Sequence, residues 1–146
     1  MKEQERKFLL RYLPENLKKA QSIKQSYLLM DGKSHLRVRI IDNQIGFLTY
    51  KSALSNTIKN EFEYEIPLKD AAELFNLSLY KLEKQRYKTT FQGNTVDIDI
   101  YPNGIQIVEI EFEDELTELP DYCGDDVSDD PRFSNIEIAK KNGLVN

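Results

Sequence analysis

The chain has 146 residues and a mass of 17.1 kDa, which fits one domain with its own core, and we expect that domain to span residues 1–146. A formal net charge of -5 argues against nonspecific nucleic-acid binding, which needs a basic surface. No apolar run approaches the roughly 18 residues of a membrane helix, and a single cysteine excludes an internal disulfide, so we expect a cytoplasmic protein without a membrane partner.

Alternation of polar and apolar residues predicts a series of short strands along the chain. The segments with this pattern are EQERKFLL, SHLRVRI, GFLTYKS, NEFEYEIPL, KLEKQRYKTTF, TVDIDIYP and IQIVEIEFE. Turn-forming pairs such as Asp31-Gly32 and Asp42-Asn43 separate them. This spacing predicts an antiparallel meander of hairpins.

Two segments carry apolar residues at helical spacing. PLKDAAELFNL places Pro67 in a first-turn position, and DPRFSNIEIAKKNG has lysines near its end with Gly143 as the predicted stop. A shorter helical turn is predicted at PENLKKA. The predicted fold class is therefore α+β, mainly antiparallel sheet with helices packed outside.

Charged residues occupy every second position in most strand segments, so their side chains share one face. On a single strand this pattern is typical of a solvated face. Here, however, the charges two residues apart have the same sign, which costs about 2 kcal/mol per pair at an effective dielectric near 20. The pairs are Glu3 and Glu5, Arg37 and Arg39, Glu63 and Glu65, Lys84 and Arg86, Asp97 and Asp99, and Glu109 and Glu111. A sheet closed with this face inward would bring opposite charges, divalent metals and phosphate oxygens together.

The same residues resemble the CYTH superfamily, the triphosphate tunnel metalloenzymes, over nearly the full chain. The N-terminal signature E-x-E-x-K is present as Glu3, Glu5 and Lys7, and Tyr27 follows in QSYL. Thr49 and Lys51 form a T-x-K element, and the like-charge pairs above appear in the order typical of the family. The ordered set is much more specific than its first motif alone.

The resemblance implies an eight-stranded antiparallel closed β-barrel that binds a triphosphate together with Mg²⁺ or Mn²⁺. The residues implied to bind the triphosphate are Lys7, Arg37, Arg39, Lys51, Lys84 and Arg86. The implied metal ligands are Glu3, Glu5, Glu109 and Glu111, with Glu63, Glu65, Asp97 and Asp99 as supporting carboxylates. Lys7 and Tyr27 are implied to form a catalytic pair in which the phenol holds the lysine.

The leading hypothesis is metal-dependent hydrolysis of the terminal phosphate of inorganic triphosphate, a small-molecule substrate. Class IV adenylyl cyclases share the charged barrel, as do thiamine and nucleoside triphosphatases, so both alternatives stay open. The chain has no tryptophan, which disfavours thiamine stacking. A polyphosphate-binding module without turnover is the non-enzymatic alternative. The oligomeric state is expected to be a monomer or a homodimer.

Two residues with reactive side chains stand outside this pattern. His35 is the only histidine, and we expect it at the surface or at a strand end, because the predicted site is rich in oxygen ligands. Cys123 is expected to be inert, since no second cysteine accompanies it.

Overall fold

The protein is described from a computed structural model that covers residues 2–145, with side-chain burial for residues 3–141. The elements in this range are β1 (Lys2–Leu10), β2 (Gln21–Asp31), β3 (Ser34–Ile41), β4 (Ile45–Ala53), β5 (Ile58–Ile66), α1 (Leu68–Leu77), β6 (Tyr80–Phe91), β7 (Asn94–Ile100), β8 (Gln106–Glu111), β9 (Cys123–Asp126) and α2 (Asn135–Val145). A 3₁₀ turn, Pro131–Phe133, precedes α2. None of the helices in this range is long and apolar enough to cross a membrane.

Eight of the nine strands form a closed antiparallel ring. Their order is β5-β4-β3-β2-β6-β7-β8-β1, and pairing of β1 with β5 closes the circuit. The ninth strand, β9, lies beside the second half of β1, where Phe8 faces Asp126. The prediction of a closed eight-stranded antiparallel sheet is confirmed.

The alternation of side chains divides the ring into a charged inner face and an apolar outer face. Residues directly opposite in neighbouring strands point the same way, so the pairing of Lys7 with Glu109 and of Arg86 with Asp99 places these charges together inside. On the outside, Val96, Ile98 and Val108 are fully buried. Leu17, Leu116 and Tyr122 pack against this apolar group, so loops cover that part of the ring.

Helix α1 covers another part of the outer face. Its buried Ala71 packs with Val38 and Ile40 of β3. A Cβ atom at Gly46 would lie 2.4 Å from the Cβ atom of Ala71, so the close approach of α1 to β4 requires glycine at that position.

Helix α2 packs against inward-facing residues at one end of the ring. Its Ile138 and Ala139 contact a buried group that includes Leu82, Tyr101 and Ile107. Ile107 lies opposite Asp99 in the pairing of β7 with β8, which places it on the inner face. The helices therefore have different positions: α1 lies outside the ring, and α2 covers an end of its interior.

Three local features differ from the sequence predictions. Strand β2 was not among the alternating segments, because a register shift between Tyr27 and Leu29 breaks its alternation. The helical turn predicted at PENLKKA is wrong, since Asn16 has a φ of 63°, which interrupts a right-handed helix. The stop predicted at Gly143 is also wrong, because α2 continues to Val145.

Candidate active site

The ring encloses a charged cavity of about 110 Å³. Side chains from all eight of its strands, from Ser134 and from the first two residues of α2 contribute to the lining. The lining residues are Glu3, Glu5, Lys7, Tyr27, His35, Arg37, Arg39, Lys51, Lys59, Glu61, Arg86, Asp97, Glu109, Glu111, Ser134, Asn135 and Ile136. Most of the residues that the sequence assigned to one site therefore surround the same space.

Three of the predicted metal ligands form a compact carboxylate cluster. One oxygen from each of Glu3, Glu5 and Glu111 lies within 4.8 Å of the others. These are hard oxygen donors of the kind that Mg²⁺ and Mn²⁺ prefer, so the donor set fits such an ion. Glu109 lines the same cavity but lies outside this cluster, and Nη2 of Arg86 approaches its carboxylate at 3.6 Å.

The cluster is held by lysines of β5, which pairs with β1, and of β4, the next strand in the ring. Lys59 Nζ lies 2.8 Å from Glu5 Oε1, and Lys51 Nζ lies 3.2 Å from Glu3 Oε1. Burial alone would raise the pKa of Glu5, but Lys51, Lys59 and Lys7 together hold that pKa well below its usual range. Burial and the neighbouring acids instead raise the pKa of Glu111. The cluster thus combines a firmly ionised carboxylate with one that is less acidic.

Strand β3 contributes two arginines whose donors are only partly used. Arg39 Nε donates to Gln25 Oε1 at 2.9 Å, which orients the guanidinium. Nη2 of Arg37 is 3.6 Å from Glu61 Oε1, beyond hydrogen-bond range. Burial and the nearby Arg37 lower the pKa of Arg39. Together these arginines form a positive surface that suits an anion.

A tight ion-pair network lies on the β6 and β7 side. Arg86 donates to both carboxylate oxygens of Asp99, at 2.8 and 2.9 Å, and Lys84 Nζ lies 2.8 Å from the same carboxylate. Burial would raise the pKa of Asp99, but Lys84 and Arg86 hold it well below its usual range. Lys84 also donates to Asn135 Oδ1 at 3.2 Å, which connects the network to α2.

Four of the predicted residues do not line the cavity. Lys84 and Asp99 are completely buried behind Arg86 in the network just described. Glu63 accepts a hydrogen bond from Thr49 Oγ1 at 3.1 Å. Glu65 is exposed at the far end of β5. What separates these residues from those that reach the cavity is mainly their position along the strand. The face of the strand on which they lie matters less.

The predicted pair of Lys7 and Tyr27 is brought to the cavity but not into contact. Lys7 Nζ donates to the carbonyl oxygen of Phe133 at 3.4 Å, and the phenol oxygen of Tyr27 accepts from Gln25 Nε2 at 2.7 Å. In residues 3–141, the two side chains do not hydrogen bond to each other. The interpretation of a lysine held by the phenol is therefore not supported in this conformation, because each group has another partner.

Three lining residues with ionisable side chains were missed by the sequence analysis: His35, Lys59 and Glu61. His35 is the second residue of β3, so the expected strand-end position is confirmed, but it lies opposite Lys51 and therefore points inward and lines the cavity. Burial lowers the pKa of His35 to about 3, and burial with Glu63 and Glu111 raises that of Glu61 to about 7. Each of these residues lies two positions from a predicted or lining residue, so extending the alternation by one step would have found them.

The family is decided by comparison with known proteins. A family model described as the CYTH domain matches residues 1–134, which is most of the chain. The chain belongs to the CYTH family. This confirms the resemblance seen in the ordered charged pairs of the sequence.

Proteins similar to this CYTH chain include two named inorganic triphosphatase. The chain is 35% identical to such a protein from Acetivibrio thermocellus, with 95% of this chain and 94% of the relative covered. It is 29% identical to another from Nitrosomonas europaea, with 95% and 97% covered. A crystal structure described as an inorganic triphosphatase superposes with a TM-score of 0.68 at 27% identity, covering 94% of each chain. These relatives support the prediction that the chain is a hydrolase.

Proposed function

We propose that this CYTH protein hydrolyses the terminal phosphate of inorganic triphosphate in a reaction that requires Mg²⁺ or Mn²⁺. The observation that carries the proposal is the opposition of two groups across one small cavity. The carboxylates of Glu3, Glu5 and Glu111 lie on one side, and Arg37 and Arg39 lie on another. The identity of the curated relatives supports the same substrate class.

The arginines are suited to hold the phosphate chain. A guanidinium group binds phosphate oxygens with parallel hydrogen bonds, and Arg39 keeps its terminal nitrogens free of protein partners among the described residues. Lys51 adds a point charge at the same cavity. Burial and Arg37 lower the pKa of Lys51 to about 7, and a bound triphosphate would raise it again and keep the ammonium protonated.

Hydrolysis joins the oxygen of water to the terminal phosphorus and breaks the bond from that phosphorus to the bridging oxygen. The products are phosphate and pyrophosphate, and the water gives up its protons to solvent and product oxygens. A bound divalent ion would supply positive charge for the phosphates and lower the pKa of water. Glu3, Glu5 and Glu111 would hold that ion, while Arg37 and Arg39 orient the substrate and offset its developing charge.

The direct test is an assay of phosphate release from tripolyphosphate with Mg²⁺, with Mn²⁺ and with a chelator. We expect equal amounts of phosphate and pyrophosphate with metal and no release with the chelator. ATP and thiamine triphosphate belong in the same panel, and each product should be identified. Cyclic AMP as the main product from ATP would replace this proposal with a cyclase.

Arg39→Ala tests the assigned site. Losing a charged hydrogen-bonding partner of the substrate should cost about 3 kcal/mol, or roughly 100-fold in kcat/KM. Arg11→Ala is the matched control, because Arg11 is an exposed arginine outside the ring, and it should retain activity. Equal activity in both variants would reject Arg39 as a substrate-binding residue.

A cytoplasmic location and the oligomeric state stay predictions.

A further inference from the structure

The charged cavity opens into a larger space of about 770 Å³ next to it. Glu5, Lys7, His35, Lys51 and Lys59 line both spaces, so they stand at the boundary between them. Lys59 and His35 are the two of these residues that the family signature does not include, and Lys59 makes the shortest contact to the carboxylate cluster, at 2.8 Å to Glu5. Its role therefore needs an explanation of its own.

The contact between Lys59 and Glu5 conflicts with metal binding at the same carboxylate. A divalent ion that binds through Glu5 takes a carboxylate oxygen at about 2.1 Å, the distance typical of Mg²⁺. The ammonium group of Lys59 already lies 2.8 Å from Glu5 Oε1. Two cations that share this carboxylate would repel each other strongly in a partly buried site. Lys59 and the ion would therefore compete for the negative charge of Glu5.

Lys59 has the freedom to move and a place to go. Its side chain is 24% exposed, whereas that of Glu5 is 7% exposed, so the lysine is the partner with more room to move. The long unbranched stem lets the ammonium group swing without moving the strand. Its position at the boundary keeps it within the space that a phosphate chain in the cavity would approach.

We propose that Lys59 is an internal counter-ion that neutralises Glu5 until a divalent ion binds and then moves to the phosphate chain of the substrate. The second half of this exchange rests on the proposed function. The exchange would couple the two ligands, because the metal releases the lysine that the phosphate then binds. Lys59 is thus a substrate-binding residue only when the metal is present.

The test compares Lys59→Met with the wild-type protein by titrating Mn²⁺ calorimetrically in the absence of substrate. Removing the competing cation should tighten Mn²⁺ binding by roughly 10-fold, and Lys59→Arg, which keeps the charge, should retain the wild-type affinity. Lys33→Met is the matched control, since Lys33 lies at the exposed rim and forms no ion pair within residues 3–141. Thermal unfolding checks that each variant is folded.

The second measurement concerns tripolyphosphate. With metal, Lys59→Met should raise KM by about 10-fold, and without metal the affinity for tripolyphosphate should change less than about threefold. Unchanged or weaker Mn²⁺ binding in Lys59→Met would overturn the counter-ion role. Tighter Mn²⁺ binding with an unchanged KM would overturn its movement to the phosphate. Because the Mn²⁺ titration contains no substrate, its result is independent of whether the protein hydrolyses tripolyphosphate.

Discussion

The positive side chains on the two sides of the cavity differ in whether nearby carboxylates balance their charge. On the β6 and β7 side, which we call the paired wall, Lys84 and Arg86 are neutralised by Asp97 and Asp99 at distances of 2.8 to 3.3 Å. On the β3 side, which we call the open wall, Arg37 and Arg39 have no carboxylate within 3.5 Å among the described residues, and the neutral imidazole of His35 lies on the same strand.

This difference separates a structural role from a binding role. Cations in the paired wall have their charge balanced by the fold itself, so removing their partner leaves a buried charge uncompensated. Cations in the open wall are desolvated without such balance, and an anion in the cavity would supply it. The sequence assigned Lys84 and Arg39 to the same triphosphate-binding set, but the structure gives them different surroundings. Variants in each wall can test this division.

The largest effect is expected in the paired wall. Asp99→Asn removes the negative charge shared by Lys84 and Arg86, and Lys84 has a side chain with no exposed surface. Leaving these charges uncompensated should lower the free energy of unfolding by about 3–5 kcal/mol. Urea denaturation at pH 7 measures this loss.

A surface ion pair provides the control for this variant. Glu137 lies 3.4 Å from Lys140, and both side chains are about two-fifths exposed. Glu137→Gln should therefore change the free energy of unfolding by less than about 0.5 kcal/mol. A loss below 1 kcal/mol in Asp99→Asn would contradict the structural role of the paired wall.

Because the open wall lacks carboxylates, we expect it to make the free energy of unfolding fall when the pH is lowered. Burial, followed by Arg37 and Lys51, lowers the pKa of His35 from 6.5 to about 3. Below pH 6.5 the His35 imidazole therefore binds a proton in the unfolded chain but stays neutral in the folded chain. The free energy of unfolding falls as the pH decreases. Between pH 7 and pH 5 this group should remove about 2 kcal/mol from the free energy of unfolding.

His35→Gln should remove that part of the pH dependence. Other groups titrate in the same range, so the relevant quantity is the difference between the variant and the wild type at each pH. Urea denaturation at pH 7, 6 and 5 should give curves that diverge towards acid, with the variant losing less stability. Parallel losses in both proteins would mean that the His35 imidazole accepts a proton in the folded state.

The sequence predicted the face of each charged residue more reliably than its depth. Alternation placed Arg39, Glu61 and Glu65 on inner faces, since residues two apart share a side. It could not tell which of them reach the cavity, because depth depends on strand tilt and on how the ring closes. Glu65 was predicted as part of the site and Glu61 was not, because the resemblance assigned the paired glutamates of β5 to Glu63 and Glu65. The sequence could not predict the position of α2 either. The apolar residues of this helix could pack on the outer face of the ring as well as at its end.

Glu61 and Glu65 offer the most sensitive test of the difference between the face and the depth of a residue. The changes in KM expected for their variants are the smallest of those predicted. Glu61 lines the cavity near Arg37, and its pKa is raised to about 7, first by burial and then by neighbouring acids. Above pH 7 it is ionised and repels a phosphate chain, whereas below pH 7 it is protonated and does not. Glu61→Gln should therefore lower KM for tripolyphosphate about threefold at pH 8.5, or about 0.7 kcal/mol, and much less at pH 6.

Glu65→Gln carries the same chemical change on the same strand, but its side chain lies at the exposed end of β5. Water screens that charge, so KM should stay within about 1.5-fold of the wild-type value at both pH values. Steady-state kinetics at saturating metal would resolve the contrast. A collapse of kcat in Glu61→Gln would instead assign Glu61 to the metal cluster. Equal shifts in both variants would show that distance from the cavity does not govern how these carboxylates act on an anion.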